Sequence, residues 1–144
     1  MLSDFNYQSV PYGFSHCLNG QCKHATECLH YQVALHVPTE CRSFTLINPA
    51  YTTSDNGDCP CFTSDQPLRF ARGITHLLDN MTHSNALAVK QKMLAHFGRN
   101  TFYRINRKER AISPSEQQYI RQIFKDKGLD TEPVYDEYIK GYDW

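Results

Sequence analysis

Several features that would assign this sequence to a common functional class are missing. It has no apolar run long enough to cross a bilayer, and its first residues lack the basic and apolar regions of an export signal. There is no glycine-rich phosphate loop, no Gly-x-Ser-x-Gly motif and no His-Glu-x-x-His motif. Internal repeats and low-complexity segments are also lacking. We therefore expect a cytoplasmic protein with no membrane association, no evident small-molecule substrate and no catalytic residues.

The bulk composition is that of an ordinary globular domain. The chain has 144 residues, of which 40% are hydrophobic and 21% are charged. The net charge is zero, but residues 86–127 carry ten basic and three acidic side chains, and the sign reverses after Gly128. Such a basic segment is typical of a surface that meets a polyanion, and equally of a solvated face or one opposite an acidic surface of the same fold.

Local patterns predict a mainly α fold. An irregular, Cys-rich N-terminal lobe of residues 1–63, with a short helix and one or two short strands, is expected to pack on a C-terminal helical bundle of residues 64–144 as one compact unit. The aromatic arm before the first cysteine is also expected to pack, because Phe5, Tyr7, Tyr12 and Phe14 would be costly to leave in water. Helices are predicted over residues 25–37, 64–81 and 84–97, after Asn100, and from the capping box Ser113-Pro114-Ser115-Glu116 to Gly128, with a strand over 42–47 and a turn at Asn56-Gly57.

Five of the six cysteines lie in two clusters. Cys17, Cys22 and Cys28 are followed thirty residues later by Cys59 and Cys61. The cytoplasm keeps thiols reduced, which favours metal binding over a disulfide framework. A structural zinc site needs four soft donors in a tetrahedral arrangement. The sequence therefore predicts zinc bound by the first four of these cysteines, with Cys61 as a further candidate.

Two alternatives to zinc remain open. An iron–sulfur cluster also uses four thiolates, and Cys59-Pro60 is typical of the end of ferredoxin cysteine runs. Free or disulfide-linked thiols are the second alternative. Cys41 stands apart and is predicted to be an ordinary buried thiol. The histidines near the clusters are more often packed imidazoles than ligands, and serve as substitutes only; they are His16, His24 and His30.

Residues 93–105 resemble the core of a repressor-type helix-turn-helix. A helix ending at Gly98 is followed by a second helix rich in Arg and polar side chains. In that motif the second helix enters a major groove, while nearby Arg and Lys contact phosphates. The resemblance implies DNA or RNA contacts from seven residues, namely Arg99, Asn100, Thr101, Tyr103, Arg104, Arg107 and Lys108. A turn within any helical bundle gives the same pattern, so a solvated basic face is the alternative.

Nearly the whole chain also resembles a family of small Bacteroidales-type bacterial proteins of unknown function. The segments that carry the resemblance are His16-Cys17, Cys22, Cys28-Leu29, Ile47 to Tyr51, Asp58-Cys59-Pro60, His96 to Arg99, Phe102 to Arg104, Glu109-Arg110 and Gln117 to Phe124. The resemblance implies one full-length module and carries no activity with it.

These observations lead to one leading hypothesis and two alternatives. The leading hypothesis is a small cytoplasmic bacterial protein with a structural Cys-ligated zinc site, whose basic helical surface binds nucleic acid in a regulatory role. The alternatives are an iron–sulfur redox or sensor protein, and an adaptor that binds a protein partner and no nucleic acid.

Overall fold

The computed structural model describes residues 5–52 and 59–144, and the turn predicted at Asn56-Gly57 lies outside them. It is 39% helical and 13% strand, with two small sheets, so the prediction of a mainly α fold is wrong. No helix within the described part of the chain is both long and apolar enough to cross a membrane.

The chain divides into two compact units. The N-terminal unit consists of Met1–Pro67 together with Tyr142–Trp144, and the C-terminal unit of Leu68–Gly141. The predicted boundary between the two lobes lies after residue 63, with the last three residues in the second lobe. Because three C-terminal residues return to the first unit, the division is not sequential.

The N-terminal unit contains only short elements. Its β1 and β2 are two residues long and pair in parallel, with Ser15 opposite Thr45. The strand predicted over residues 42–47 is thus reduced to its last residues. The elements are two 3-10 helices at Tyr7–Ser9 and Ala25–Glu27, β1 at Ser15–His16, α1 at Leu29–Ala34, β2 at Thr45–Leu46 and α2 at Pro49–Thr52.

The C-terminal unit combines three helices with an antiparallel pair of strands. The capping box predicted at the start of α5 is confirmed, since the Ser113 and Glu116 side chains each bond the other residue's backbone N–H. The helix predicted from Ser84 begins one residue earlier, capped by Thr82. The elements are β3 at Leu68–Arg72, α3 at His83–Phe97, α4 at Arg99–Asn106, α5 at Pro114–Asp126 and β4 at Glu137–Gly141.

The helix predicted over residues 64–81 is wrong, because Leu68–Arg72 forms β3. All five residues pair with β4, and the Ala71 N–H and C=O also bond the backbone of Ile112 at 3.0 and 2.8 Å. These partners lie more than forty residues away in the sequence. Their hydrogen bonds outweigh the apolar spacing that suggested a helix, since local propensity yields to tertiary pairing. Residues 68–72, which were predicted to belong to a helix of the C-terminal bundle, therefore form a strand of a sheet. The C-terminal unit is a combination of helices and strands, and the predicted helical bundle is wrong.

Each unit has its own apolar cluster. The C-terminal unit buries eleven hydrophobic residues together, including Ala71, Met93 and Ile120. Within the described residues of the N-terminal unit, the buried cluster consists of Leu29, Val33 and Tyr142, with a few partly buried residues packed against them. By area alone such a small cluster contributes little stability, so the N-terminal unit depends on other interactions.

The aromatic arm before the first cysteine packs against the smaller cluster, as predicted for most of its rings. Phe5, Tyr7 and Phe14 contact the cluster, and Phe5 lies edge-on to Tyr142 with ring centroids 6.1 Å apart. Tyr12 was expected to pack as well, but it is fully exposed. It precedes Gly13, whose φ of +87° turns the chain outward.

We predict that Gly73→Ala lowers the free energy of unfolding by about 3 kcal/mol. Gly73 has φ +75°, and a Cβ added there would overlap the buried carboxylate of Asp136. The matched control is Gly128→Ala, at φ +67° with open space around it, which should cost only about 1 kcal/mol. Urea denaturation of both variants measures the difference. Equal losses would contradict a role for the Asp136 carboxylate.

Candidate metal centre

The first cysteine is fixed by backbone hydrogen bonds on both sides of β1. Cys17 follows this strand directly, and its N–H donates to the carbonyl of His30 in α1 at 3.1 Å. The Ile47 N–H donates to the carbonyl of His16 at 2.9 Å, which extends the pairing with β2. Cys17 therefore leaves the strand pair at a defined position beside α1.

A chain of tight turns carries the next two cysteines. The Asn19 side chain accepts from the Gln21 N–H at 3.1 Å, which is the local bond that makes asparagine favourable in turns. The carbonyl of Cys22 accepts from the Ala25 N–H at 3.0 Å, where the second 3-10 helix begins. Cys28 is the residue that precedes α1 and is buried.

The second cysteine cluster is held against the start of α1 by backbone pairing. The Leu29 N–H donates to the carbonyl of Thr63 at 2.7 Å, and the Asp65 N–H donates to that of Glu27 at 2.9 Å. Cys28 and Ser64 form an isolated antiparallel bridge between these bonds. This pairing brings the Cys59–Cys61 segment next to Cys28.

As a result, the five clustered cysteines line one small cavity of about 30 Å³, which we call the cysteine cavity. Its volume is sufficient for one or two water-sized bodies. The imidazole of His24 and the rings of Tyr31 and Phe62 lie in the same wall. The cysteines are Cys17, Cys22, Cys28, Cys59 and Cys61.

The sulfur atoms are close enough to influence one another. Burial raises the pKa of the Cys61 thiol above its ordinary value, and the neighbouring Cys59, Cys17 and Cys28 raise it further. The physical reason is that a second negative charge is unfavourable beside other sulfur atoms in a poorly hydrated space. All six cysteines are free thiols in the structure.

The thiols nevertheless do not stand in a ligand arrangement. Over residues 5–52 and 59–144, the His, Cys, Asp and Glu side chains form no group of three or more that could hold a metal ion. Among these residues the five cysteines therefore share a cavity without forming such a group.

The nearby histidines differ in their availability. His16 is buried, with Nε2 2.9 Å from the Tyr7 hydroxyl and Nδ1 3.2 Å from the carbonyl of Thr45. His30 contacts the carbonyl of Ser15 and the Thr63 hydroxyl through its two ring nitrogens. His24 lines the cysteine cavity. The sequence does not separate these three histidines, because Cys28-x-His30 has the same spacing as Cys22-x-His24.

Cys41 lies apart from the cysteine cavity. Its Sγ donates to the carbonyl of Ser43 at 3.4 Å, and the side chain is partly exposed. The expectation of a fully buried thiol is therefore wrong, since the segment before β2 runs along the surface of the N-terminal unit.

The residues predicted to contact nucleic acid lie on α4 and just after it. Gly98 alone joins α3 to α4, whereas a helix-turn-helix uses a turn of three or four residues. Arg99 and Asn100 are exposed at the start of α4, while Thr101 and Tyr103 are partly buried. The resemblance to a repressor motif is therefore limited to the order helix, glycine, helix.

Ion pairs engage three of the four cations in the predicted nucleic-acid surface. Arg107 donates to both carboxylate oxygens of Glu109 at 2.7 and 3.1 Å, and Arg104 lies 3.9 Å from the same carboxylate. The hydrogen bond from Arg107 lowers the pKa of Glu109. Lys108 lies 3.6 Å from the buried carboxylate of Asp136. Arg99 has no ion-pair partner among the described residues.

No curated protein and no solved structure matches the chain. A family model does match, and it covers residues 1–144. This full coverage agrees with the resemblance of nearly the whole chain to an uncharacterised family, and the family gives no sign of catalysis. The chain belongs to the family of unknown function DUF6078.

Proposed function

We propose that the N-terminal unit binds one zinc ion through cysteine thiolates and that the ion stabilises this unit. The observation that carries the proposal is the cysteine cavity, which is lined by five thiols from two distant parts of the chain. Four thiolates are the donor set of a closed structural zinc site, with Zn–S distances of about 2.3 Å. Binding would draw the sulfur atoms together from their positions in the metal-free chain.

The size of the N-terminal core supports a structural role for the metal. In the part of this unit that the structure describes, the buried cluster has three members and the strands are two residues long. Binding of zinc to structural sites is worth on the order of 10 kcal/mol, which is comparable to the stability of a whole domain. Zinc binding would therefore supply the stabilising free energy that apolar burial does not supply in this unit.

Two cysteines can supply the fourth ligand. We propose Cys17, Cys22, Cys28 and Cys59 as ligands, with Cys61 able to replace Cys59 because both line the cysteine cavity. An iron–sulfur cluster uses the same four donors and is the alternative. It would give the protein a visible absorbance, which zinc does not.

A nucleic-acid role for the basic surface remains a second proposal, as does a Bacteroidales-type bacterial origin. The nucleic-acid role is supported by the exposed start of α4, where Arg99 and Asn100 face solvent. Against it, the other three cations of the predicted surface lie beside carboxylates. The adaptor hypothesis needs none of these cations to be free.

We predict one zinc ion per chain after reconstitution under reducing conditions, measured by elemental analysis of tag-free protein. The double variant Cys22→Ser/Cys28→Ser should abolish stoichiometric binding, because it leaves only three of the five thiols that line the cysteine cavity. The matched control is Cys41→Ser, which removes a thiol outside that cavity and should leave the stoichiometry unchanged. Trp144 belongs to the N-terminal unit and is the only tryptophan, so its fluorescence reports unfolding of that unit.

Loss of zinc in the double variant should lower the unfolding temperature reported by Trp144, while Cys41→Ser keeps that of the wild type. The same metal content in both variants, or no zinc in the wild type, would contradict the proposal. Iron with visible absorbance in anaerobically purified protein would favour the cluster instead.

For the basic surface, we predict weak binding to random-sequence duplex DNA that decreases steeply with added salt. Arg99→Ala should reduce the slope of log affinity against log salt by about 1, because one phosphate contact is lost. Lys127→Ala removes an exposed cation beyond the end of α5 and serves as the control. Absent binding, or the same slope in both variants, would leave the adaptor hypothesis ahead.

A further inference from the structure

The N-terminal unit contains a second and much larger cavity, which we call the aromatic cavity. Its volume is about 610 Å³, within the range of small-molecule sites. Four aromatic rings line it, and they come from the arm before β1 and from the segment that leads into β2. The rings are those of Tyr7, Tyr12, Phe14 and Phe44.

The floor of the aromatic cavity is fixed by a chain of hydrogen bonds. The carbonyl of Thr45 can only accept, so the nearby Nδ1 of His16 is the donor in that bond. In the neutral imidazole Nε2 is then the acceptor, and it receives the Tyr7 hydroxyl. The Phe44 ring lies 4.7 Å from the His16 ring. The rings of Tyr7 and Phe44 thus both lie against one buried imidazole.

Phe14 is held from two further directions. Its ring stacks on His30 with centroids 4.7 Å apart and an interplanar angle of 9°. It also lies edge-on to Trp144, with centroids 5.1 Å apart. Since His30 is itself bonded at both ring nitrogens, the orientation of Phe14 is set before any ligand arrives. Preorganised walls of this kind lower the entropic cost of binding.

Tyr12 differs from the other three rings because it has no packing partner within residues 5–52 and 59–144. It is fully exposed at the edge of the aromatic cavity, and the neighbouring Gly13 has open space around it. A ring in this position leaves its apolar faces in water, and a flat ligand in the cavity would give one face a partner.

The lining is uncharged as far as the described residues define it. It contains no Asp, Glu, Lys or Arg side chain, and its polar groups include the Gln8 amide and the Ser43 hydroxyl. Burial raises the pKa of Tyr7, so its phenol stays neutral at physiological pH. Phosphate and carboxylate groups would find no opposite charge here, whereas the edge of a neutral heterocycle would find donors and acceptors.

We propose that the aromatic cavity binds a flat, uncharged heteroaromatic compound, whose ring stacks on the aromatic walls and whose polar edge faces Gln8 and Ser43. Stacking on aromatic side chains is favourable for any π-face, and the few polar groups fix the orientation. This site is distinct from the cysteine cavity and does not depend on metal binding there.

The test uses reduced full-length protein and follows Trp144 fluorescence, because Trp144 contacts Phe14 in the cavity wall. Three neutral heteroaromatic probes are titrated, namely adenosine, caffeine and riboflavin. We expect at least one to bind with a Kd below about 1 mM, which ligand-observed NMR confirms independently. Adenosine monophosphate and ribose should bind at least about tenfold more weakly than the best probe, because the first adds negative charge and the second lacks the ring. Phenyltrimethylammonium is titrated as the charged competitor that cation–π contacts alone would favour.

Two variants assign the binding to this cavity. Tyr12→Ala should weaken the best probe about tenfold, and because Tyr12 is fully exposed the change leaves folding intact. Phe44→Ala should weaken it by at least as much. The matched control is Tyr51→Ala, which removes another exposed ring outside the cavity and should change nothing. Failure of all three probes, tightest binding of a charged or non-aromatic compound, or equal effects of Tyr12→Ala and Tyr51→Ala would overturn the proposal.

Discussion

The N-terminal unit depends on a short stretch of backbone pairing between the residues around Cys28 and those around Ser64. Two hydrogen bonds and one bridge close a loop of more than thirty residues and place Cys59 and Cys61 beside the first cluster. Closing such a loop lowers the entropy of the chain. The small apolar cluster described for this unit offsets only part of that free-energy cost. A metal held by both cysteine clusters would close the same loop a second time, which is why we place zinc at the centre of the proposed function.

The sequence predicted well those features that are encoded locally. The Ser113 capping box, the helix after Thr82 and the glycine between α3 and α4 all depend on residues within one or two turns of one another. Prediction from the sequence failed where hydrogen bonds to distant residues determine the secondary structure. Leu68–Arg72 has a helical apolar spacing, yet its hydrogen bonds go to residues 112 and 137–141. No local sequence pattern indicates such pairing, so the predicted fold class was wrong.

The candidate site shows the same division between local and distant information. Cysteine identity and spacing drew attention to five thiols, and the structure places all five around one cavity. Their sequence gave no sign that His16 and His30 are occupied by the hydroxyls of Tyr7 and Thr63 and by backbone carbonyls, because those partners lie nine to thirty-three residues away. The aromatic cavity was likewise hidden, since its rings are brought together by the pairing of β1 with β2.

The return of Tyr142–Trp144 to the N-terminal unit has a consequence for the order of folding. The C-terminal unit is one continuous segment, so it has all of its residues once Gly141 has been synthesised. The N-terminal unit shares its buried cluster with Tyr142, and Trp144 packs against Phe5 and Phe14. Vectorial synthesis normally lets the first domain fold first. In this chain the earlier unit completes its apolar cluster last, because Tyr142 and Trp144 are synthesised after the whole of the C-terminal unit.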